Sequence, residues 1–310
     1  AITPELSAQE ATLAWTPVRG PAHYRGRPNQ PARPLRFGAR LERDGEVDTA
    51  QTLPDGWRAR IDAMAAVVAV LALRGGEPSL GPFPGFVVPL TLPDPWGQVH
   101  APGWVDAAAT LDLTERLQPD GTLDWDVPPG DWQIVVVRRF ASDQRIGEGA
   151  GRGPQLVLDH LKRDAFDAHA ARVGAAALPH GSRFAGRPWR AVFVDSLEIP
   201  ADLHWTDDLE AEFAQRRGYA LRPFLPLLLQ PGWRNGFQSR SGAPLFDDAD
   251  AGPRVRADYR LTVSELMIER LYRPLAQWAD RHGVQARAQA HGAPVDWIAA
   301  SGFGPSVDGK

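Results

Sequence analysis

The decapeptide Ala191-Val-Phe-Val-Asp-Ser-Leu-Glu-Ile-Pro200 runs from four apolar residues into two carboxylates and a proline. An apolar, partly β-branched run without alternation is typical of a strand covered on both faces, as in parallel α/β sheets. The carboxyl ends of such strands carry the chemistry of these folds. The stretch therefore predicts a buried strand that delivers Asp195 and Glu198 to a pocket. The alternative is structural: Asp195 caps the following turn and Glu198 is a solvated loop residue.

A second stretch of this kind, Val284-Gln-Ala-Arg-Ala-Gln-Ala-His-Gly292, ends in Gln289 and His291. The residues between the two stretches predict a helix capped by Thr206 and ended by Gly218, an irregular apolar segment at 221–229, a polar loop at 231–253 and a long helix at about 254–281. Strand, helices and strand make two consecutive units of one parallel sheet. The right-handed crossover rule then brings both polar strand ends to the same side.

The first half of the chain has a different character. A threonine cap and Pro4 predict a short helix within residues 3–15. Residues 16–140 alternate short apolar runs with Pro, Gly and Asp turns, including Val127-Pro-Pro-Gly-Asp-Trp132, which is typical of an antiparallel sandwich or jelly roll. The glycine-rich segment 147–154 lies before a helical pattern at 155–172, but its spacing fits neither a dinucleotide fingerprint nor a P-loop, so we interpret it as a connection.

Composition excludes several classes of function. The chain has 310 residues, 43% of them hydrophobic, a net charge of −4 and a pI near 6.1, without a basic stripe for nucleic acid or a membrane surface. Cysteine is absent, which excludes disulfides and thiolate metal sites. No serine-hydrolase elbow or His-Glu-x-x-His motif occurs. The first residues lack the features of a signal peptide, and the abrupt start and end suggest a piece of a longer protein, which leaves periplasmic, secreted and other locations open.

Several motifs together resemble a known family. They are Ile2-Thr-Pro-Glu-Leu-Ser-Ala-Gln-Glu10, Val194-Asp-Ser-Leu-Glu198 followed by Trp205-Thr206, Glu212-Phe213 and Arg216-Arg-Gly-Tyr219 with Leu225-Pro226, Asp258-Tyr-Arg260, and Ala288-Gln-Ala-His-Gly292 with Pro294 and Asp296. Each motif alone is weak. In this order and spacing, they resemble α-L-rhamnosidases of glycoside hydrolase family 106 over most of residues 1–15 and 155–300.

The resemblance implies an α/β plus all-β fold: a partial (β/α)8 TIM-type barrel interrupted by a β-sandwich, jelly-roll-like insertion. Residues 1–15 would then be a barrel segment, 16–150 the insertion and 151–310 the barrel continuation with the catalytic strand ends. It further implies inverting, calcium-assisted hydrolysis of terminal α-L-rhamnosyl residues. The expected partner is a rhamnose-containing oligosaccharide, polysaccharide or glycoside, with no nucleic acid and no membrane; the oligomeric state is left open.

The sequence departs from the family pattern at two places. Leu197 stands where an aromatic residue usually precedes the strand-end glutamate. Where an acidic motif of the Ile-Pro-Glu-x-Glu kind is expected, the chain reads Ser306-Val-Asp-Gly-Lys310. Asp308 is a candidate for one of those acidic positions. The second catalytic carboxylate is therefore in doubt.

Inversion needs a protonated carboxyl at the leaving oxygen and a carboxylate that activates water. We assign the general acid to Glu198, with a pKa raised by burial or by the neighbouring Asp195. The alternative is that Glu198 binds a metal or a sugar hydroxyl. Asp195 would orient Glu198 or help to hold a hard cation, for which oxygen ligands are suited.

Four further residues are predicted to bind the substrate, each with a structural alternative. Gln289 and His291 would line the sugar pocket; the alternative for His291 is a purely structural role. Trp205 would stack on a pyranose ring; the alternative is that it packs on the next helix. Asp258 lies on a helix that would otherwise only brace the barrel. Of the eleven tryptophans, most of those at 57, 96, 104, 125 and 132 are expected to be core.

The sequence thus predicts a glycoside hydrolase of the α-L-rhamnosidase type. One alternative is a glycosidase of the same barrel with another sugar specificity. The other is a non-catalytic carbohydrate-binding barrel that has lost its second carboxylate.

Overall fold

The computed structural model describes residues 2–34, 42–43, 46–47, 53–81, 98–142, 144–146, 155–178, 182–186, 188–195, 197, 199, 201–231, 242–290 and 292–301. The strands are β1 (Gln9–Gly26), β2 (Glu42–Arg43), β3 (Glu46–Val47), β4 (Ala66–Gly75), β5 (Ser79–Gly81), β6 (Gln98–Ala101), β7 (Gly103–Asp112), β8 (Leu123–Ala141), β9 (Ala191–Val194), β10 (Leu203–Trp205), β11 (Phe246–Asp247) and β12 (Gln285–Ala288). The helices are α1 (Trp57–Ala63), α2 (Arg163–His169), α3 (Ala175–Ala177), α4 (Leu209–Arg217), α5 (Ala251–Met267), α6 (Arg273–Arg281) and α7 (Trp297–Ser301). Short 3-10 helices occur at Pro4–Leu6, Thr114–Arg116 and Arg222–Leu227, and π-helical turns at Ala170–Gly174 and Ile268–Tyr272.

A six-stranded sheet with the order β10-β1-β8-β4-β7-β11 occupies the centre of the fold. Its pairs are antiparallel except for β11, which is parallel to β7. The longest ladder joins β1 to β8, from Gln9 opposite Ala141 to Gly26 opposite Leu123, with a bulge between Gly20 and Ala22. At this bulge the backbones approach so closely that a Cβ on Gly20 would lie 1.9 Å from the Pro128 carbonyl oxygen. A glycine is therefore required there.

The two faces of the sheet belong to different cores because side chains alternate along each strand. Leu71 of β4 and Val135 of β8 join a large core with the helices, which includes Phe213 of α4. Val70 and Ile134, one residue along, join a smaller core on the opposite face. That smaller core also contains residues from the first half of β8, such as Trp125, so the sheet curls over itself.

The second sheet is the parallel pair β9 and β12, in register from Ala191 opposite Gln285 to Val194 opposite Ala288. This confirms the predicted parallel neighbours. The prediction that the first of them is covered on both faces is wrong: Val192 packs against the large core, whereas Phe193 is 57% exposed. The helices cover one face of this two-stranded sheet, and the described residues leave the other open.

Three local predictions before residue 175 are also corrected. Residues 3–15 form a helix only at Pro4–Leu6, and β1 begins at Gln9, because pairing with β8 and β10 on both sides outweighs a weak cap signal. The predicted turn at 127–132 does not reverse the chain, since β8 continues from Leu123 to Ala141. The predicted helix over 155–172 begins at Arg163, because Leu156 and Leu158 make isolated β-bridges instead. The glycine-rich segment 147–154 lies outside the described residues.

The helical half agrees more closely with the prediction. Helix α4 ends at Gly218, whose φ of 80° is the left-handed conformation that a terminating glycine adopts. The long helix spans α5, a π-helical turn and α6, hence residues 251–281. The predicted Thr206 cap is wrong, because the Thr206 hydroxyl donates to Asp159 Oδ2 at 2.9 Å and Asp208 precedes the helix instead.

The chain is thus a mixed α/β structure, and the exact (β/α)8 barrel with a sandwich insertion stays a prediction. The division at residues 1–15, 16–150 and 151–310 also stays a prediction. The six-stranded sheet takes strands from all three of those segments: β1 crosses residue 15 without interruption, and β10 and β11 come from the third segment. No helix within the described residues is long and apolar enough to cross a membrane.

Candidate functional site

Asp195 and Gln289 follow the last paired residues of β9 and β12. Val194 lies opposite Ala288, and the Gln289 backbone N–H donates to the Val194 carbonyl at 3.0 Å. The ladder therefore reaches the two polar residues in register, and both are exposed. The structure brings a carboxylate and an amide side by side at one strand-end edge, as the sequence predicted.

Alternation along these strands decides which way the site faces. Val192 and Ala286 are opposite each other and contact the helix-covered core. Phe193 and Arg287, the next pair, are exposed on the opposite face. Asp195 and Gln289 lie two residues further along and so share the face of Phe193 and Arg287. The candidate site is therefore on the side of the sheet away from the helices.

The register of β12 is set by contacts just before it. The Gln285 backbone N–H donates to the Arg190 carbonyl at 2.9 Å, and the Val284 N–H to the Ala279 carbonyl at 3.1 Å. The turn between α6 and β12 contains Gly283, with φ of 69°. The preceding His282 ring is 4.1 Å from the Trp278 ring and stacks on it. These contacts fix where the strand begins and therefore place Gln289 beside Asp195.

Glu198 and His291 lie outside the described residues. Their immediate neighbours are described: Leu197 and Ile199 on either side of Glu198, and Ala290 before His291, are partly buried and pack against the large core. The roles of Glu198 and His291 stay predictions.

Trp205 and Asp258 are placed elsewhere. Trp205 belongs to β10 of the other sheet and is 4% exposed, within the core that contains Leu209 and Phe213 of the next helix. Asp258, on α5, accepts a hydrogen bond from the Tyr219 hydroxyl at 2.7 Å. Burial and this bond raise the pKa of Tyr219 to about 12. Both observations agree with the structural alternatives: packing for Trp205 and bracing for Asp258.

A layer of buried polar residues was missed by the sequence reasoning. Glu10 and Asp202 are fully buried; the Asp202 N–H donates to Glu10 Oε2 at 3.1 Å, and the Thr12 hydroxyl donates to Asp202. Nearby, Asp159 accepts hydrogen bonds from the Thr206 hydroxyl and the Leu161 N–H, both at 2.9 Å. Burial raises the pKa of Asp159 to about 7 against the effect of these two bonds. The available signal was the alternation of Glu10 and Thr12 in a segment that was predicted to be helical.

Calcium has no complete site among the described residues. They contain no group of three or more His, Asp or Glu side chains that could hold a metal ion. The strand ends supply two described oxygen donors, Asp195 and Gln289, whereas Ca²⁺ takes six to eight. The calcium expectation thus depends on residues outside the described ranges.

The fold and the polar strand ends define an α/β protein with a candidate site outside the carboxyl ends of parallel strands. The solved structure of a rhamnosidase from Novosphingobium sp. PP1Y is similar, with a TM-score of 0.60 and 16% sequence identity, over 98% of this chain and 39% of that chain. Residues 93–301 match the sequence profile of glycoside hydrolase family 106, described as alpha-L-rhamnosidase, and the chain belongs to this family.

A curated relative extends the comparison. A putative beta-glucuronidase from Formosa agariphila is 24% identical over 197 residues, which are 64% of this chain and 16% of that protein. The chain therefore spans well under half the length of both proteins it is compared with.

Proposed function

We propose that the protein is a glycoside hydrolase that removes terminal α-L-rhamnosyl residues with inversion of configuration. The observation that carries the proposal is the parallel register of β9 and β12, which places Asp195 and Gln289 together on one open face. Membership of family 106 supports the class of reaction, and the resemblance of the strand-end motif supports the sugar.

In this proposal Glu198 is the general acid that protonates the leaving oxygen as the glycosidic bond breaks. Asp195 lies three residues before it, where its charge favours the protonated form of Glu198 and its oxygens can orient that carboxyl. Gln289 and His291 bind hydroxyls of the sugar, since an amide offers both donors and an acceptor. A second carboxylate activates water on the opposite face of the ring, and Asp308 is the candidate in this chain.

Calcium, where bound, would supply positive charge to sugar oxygens, with Asp195 among its ligands. Export of the protein is part of the same proposal.

Glu198→Gln in the whole protein tests the assignment. Gln cannot donate an acidic proton, so we expect the release of aryl from an aryl α-L-rhamnoside with a poor leaving group to fall by about 100-fold or more. Glu115→Gln, at an exposed position on Thr114–Arg116, is the matched control and is expected to keep full activity. Proton NMR of the first sugar released distinguishes inversion from retention. Full activity of Glu198→Gln would remove Glu198 from the mechanism.

A second candidate is a glycosidase of the same family with another specificity, and the name of the Formosa relative favours it. Turnover of an aryl β-D-glucuronide without turnover of the rhamnoside would select this candidate. A third candidate, a non-catalytic sugar-binding protein, would bind rhamnosides and release no sugar from either substrate.

A further inference from the structure

Trp104 departs from the expectation that most tryptophans of the β region are core. Trp125 and Trp132 are 4% and 5% exposed, whereas Trp104 on β7 is 57% exposed. Along β7, Val105 and Ala107 are buried in the large core, and Trp104 and Asp106 are exposed on the opposite face. The large indole therefore lies on the face of the six-stranded sheet that carries the smaller core, but outside that core and exposed to solvent.

Neither neighbouring strand places a side chain over the indole. On one side Gly76 lies beside Trp104 and donates its N–H to the Trp104 carbonyl at 3.1 Å. A Cβ at Gly76 would meet no atom of the described residues within 4 Å, so the described part of the chain leaves this side open. On the other side Asp247 is in register with Trp104, but its carboxylate is bound by Arg256 at 2.8 and 3.2 Å.

A charged pair lies next to the ring on the same face. Arg74 of β4 is opposite Asp106 of β7, and both are exposed. Asp106 is two residues from Trp104, which corresponds to about 7 Å along the strand. A tryptophan ring, a guanidinium and a carboxylate thus lie on one face of the described strands. Asp106 Oδ1 also accepts a hydrogen bond from the Ala108 N–H at 3.1 Å, and Arg74 Nε lies toward Gly130 of β8.

We propose that Trp104, Arg74 and Asp106 form a carbohydrate-binding platform, on a different sheet from Asp195 and Gln289, that holds a rhamnose-containing polysaccharide chain. A pyranose presents a face of C–H groups that can lie on the indole, whose face is electron-rich. Its hydroxyls are donors and acceptors that match the carboxylate and the guanidinium. The choice of a carbohydrate as ligand rests on the proposed function.

A protein partner fits this surface less well. Tryptophan and arginine are enriched at protein interfaces, but the centre of such an interface is depleted of charged residues and more apolar than its rim. Here a single ring is bordered by a cation, an anion and a glycine. The chemistry of the patch therefore favours a ligand rich in hydroxyls.

Affinity electrophoresis of the whole protein tests the platform. The gels contain gellan, a polysaccharide with α-L-rhamnosyl residues, or alginate, an anionic polysaccharide without rhamnose. We expect gellan to retard the wild-type protein and Trp104→Ala to weaken this binding about tenfold, with Trp104→Phe retaining most of it. An Arg74→Ala/Asp106→Ala variant should also bind more weakly. Leu111→Ala, at an exposed position on the same strand, is the matched control and should bind as the wild type does.

Turnover of an aryl α-L-rhamnoside and the melting temperature should be unchanged in Trp104→Ala, because the ring is exposed and belongs to a different sheet from the candidate active site. Equal retardation of Trp104→Ala and wild type, no retardation of the wild type, or equal retardation by gellan and alginate would each overturn the platform. A lower melting temperature of Trp104→Ala and Trp104→Phe alike would also overturn it, because it would mean that the ring is packed in the whole protein. Trp104-dependent binding to gellan without any glycosidase activity would leave the platform standing and remove the proposed function.

Discussion

Asp195 and Gln289 show what strand-end reasoning can predict for single residues. The rule needs only the order of strand, helices and strand, and it placed both residues at one edge without any knowledge of the contacts. The exposure of Trp104 and the burial of Glu10 were not predictable in this way. Glu10 is buried because it accepts a bond from Asp202, 192 residues further along the chain. A sequence pattern does not contain such partners.

Variants at the two strand-end residues should separate binding from folding. We expect Asp195→Asn to lower kcat/KM of the whole protein for an aryl rhamnoside about tenfold or more, and Gln289→Ala to raise KM by a similar factor. The melting temperature should not change, because both side chains are exposed. Asp131→Asn, an exposed aspartate 3.6 Å from Arg19, is the control. Unchanged kinetics in both site variants would show that this edge does not bind the substrate.

The buried carboxyl of Asp159 should make stability depend on pH. Its folded pKa of about 7 lies above the ordinary 3.8, so between these values the folded state keeps a proton that the unfolded chain has lost. Asp159 therefore makes its full contribution to the free energy of unfolding below about pH 4. This contribution falls as the pH rises and is lost above about pH 7. Lys162 and Asp207 act on this carboxyl through space with opposite signs.

Asp159→Asn removes this titration while keeping an acceptor for Leu161 and a partner for Thr206. We expect the variant to gain stability relative to the wild type between pH 4 and pH 8, with an upper limit of about 4 kcal/mol for the shift from 3.8 to about 7. Urea unfolding at several pH values measures the difference. Asp55→Asn, at an exposed position, should show no such trend. A constant difference between Asp159→Asn and wild type at all pH values would contradict the assignment.

At the scale of elements, the long helix and the parallel pair of β9 and β12 were predicted better than β1 and β8, which pair over a long distance in sequence. The helix over 251–281 follows from apolar residues at helical spacing, which its own sequence contains. Gln9 at the start of β1 pairs with Ala141 and Trp205, both distant in sequence, so the weak cap and proline before it were misread as a helix. The same limit explains why the turn at 127–132 was predicted where β8 runs on.

The end of α4 provides a test of local backbone reasoning. Gly218 has φ of 80°, and a Cβ there would meet nothing within 4 Å, so a substitution is opposed by backbone strain alone. We expect Gly218→Ala to lower the free energy of unfolding by about 1 kcal/mol. Gly26→Ala, where the nearest atom to the new Cβ is at 3.5 Å and φ is not positive, is the control and should be near neutral. Equal stability of the two variants by urea unfolding would argue against a left-handed Gly218.

For the whole molecule, the sequence could not predict that strands from both predicted regions belong to the same sheet. The sequence predicted one β region and one barrel region, and the structure joins strands from both into one six-stranded sheet. This joining depends on β10 and β11, which have three and two residues and no sequence signal of their own.

Exposed apolar side chains on β9 and α7 should affect solubility. Phe193, Trp297 and Ile298 are 57%, 58% and 88% exposed. Large exposed apolar side chains promote association, so we expect the 310-residue polypeptide expressed alone to aggregate on a sizing column. Ile298→Lys with Phe193→Ser should increase the soluble fraction, whereas Leu261→Lys, on a 45% exposed side chain of α5, should not. Soluble, cooperative two-state melting of the unaltered polypeptide would refute this expectation.

The ladder between β1 and β8 also affects synthesis on the ribosome. Gln9 cannot pair with Ala141 until the intervening chain has been made, and β10, on the other side of β1, emerges later still. At roughly 5–20 residues per second, β1 leaves the ribosome many seconds before its partner strands. During this interval an 18-residue strand has neither neighbour. Folding of the nascent chain should therefore be limited by the appearance of β8 and β10, and β1 is the segment that we expect a holding chaperone to bind in the meantime.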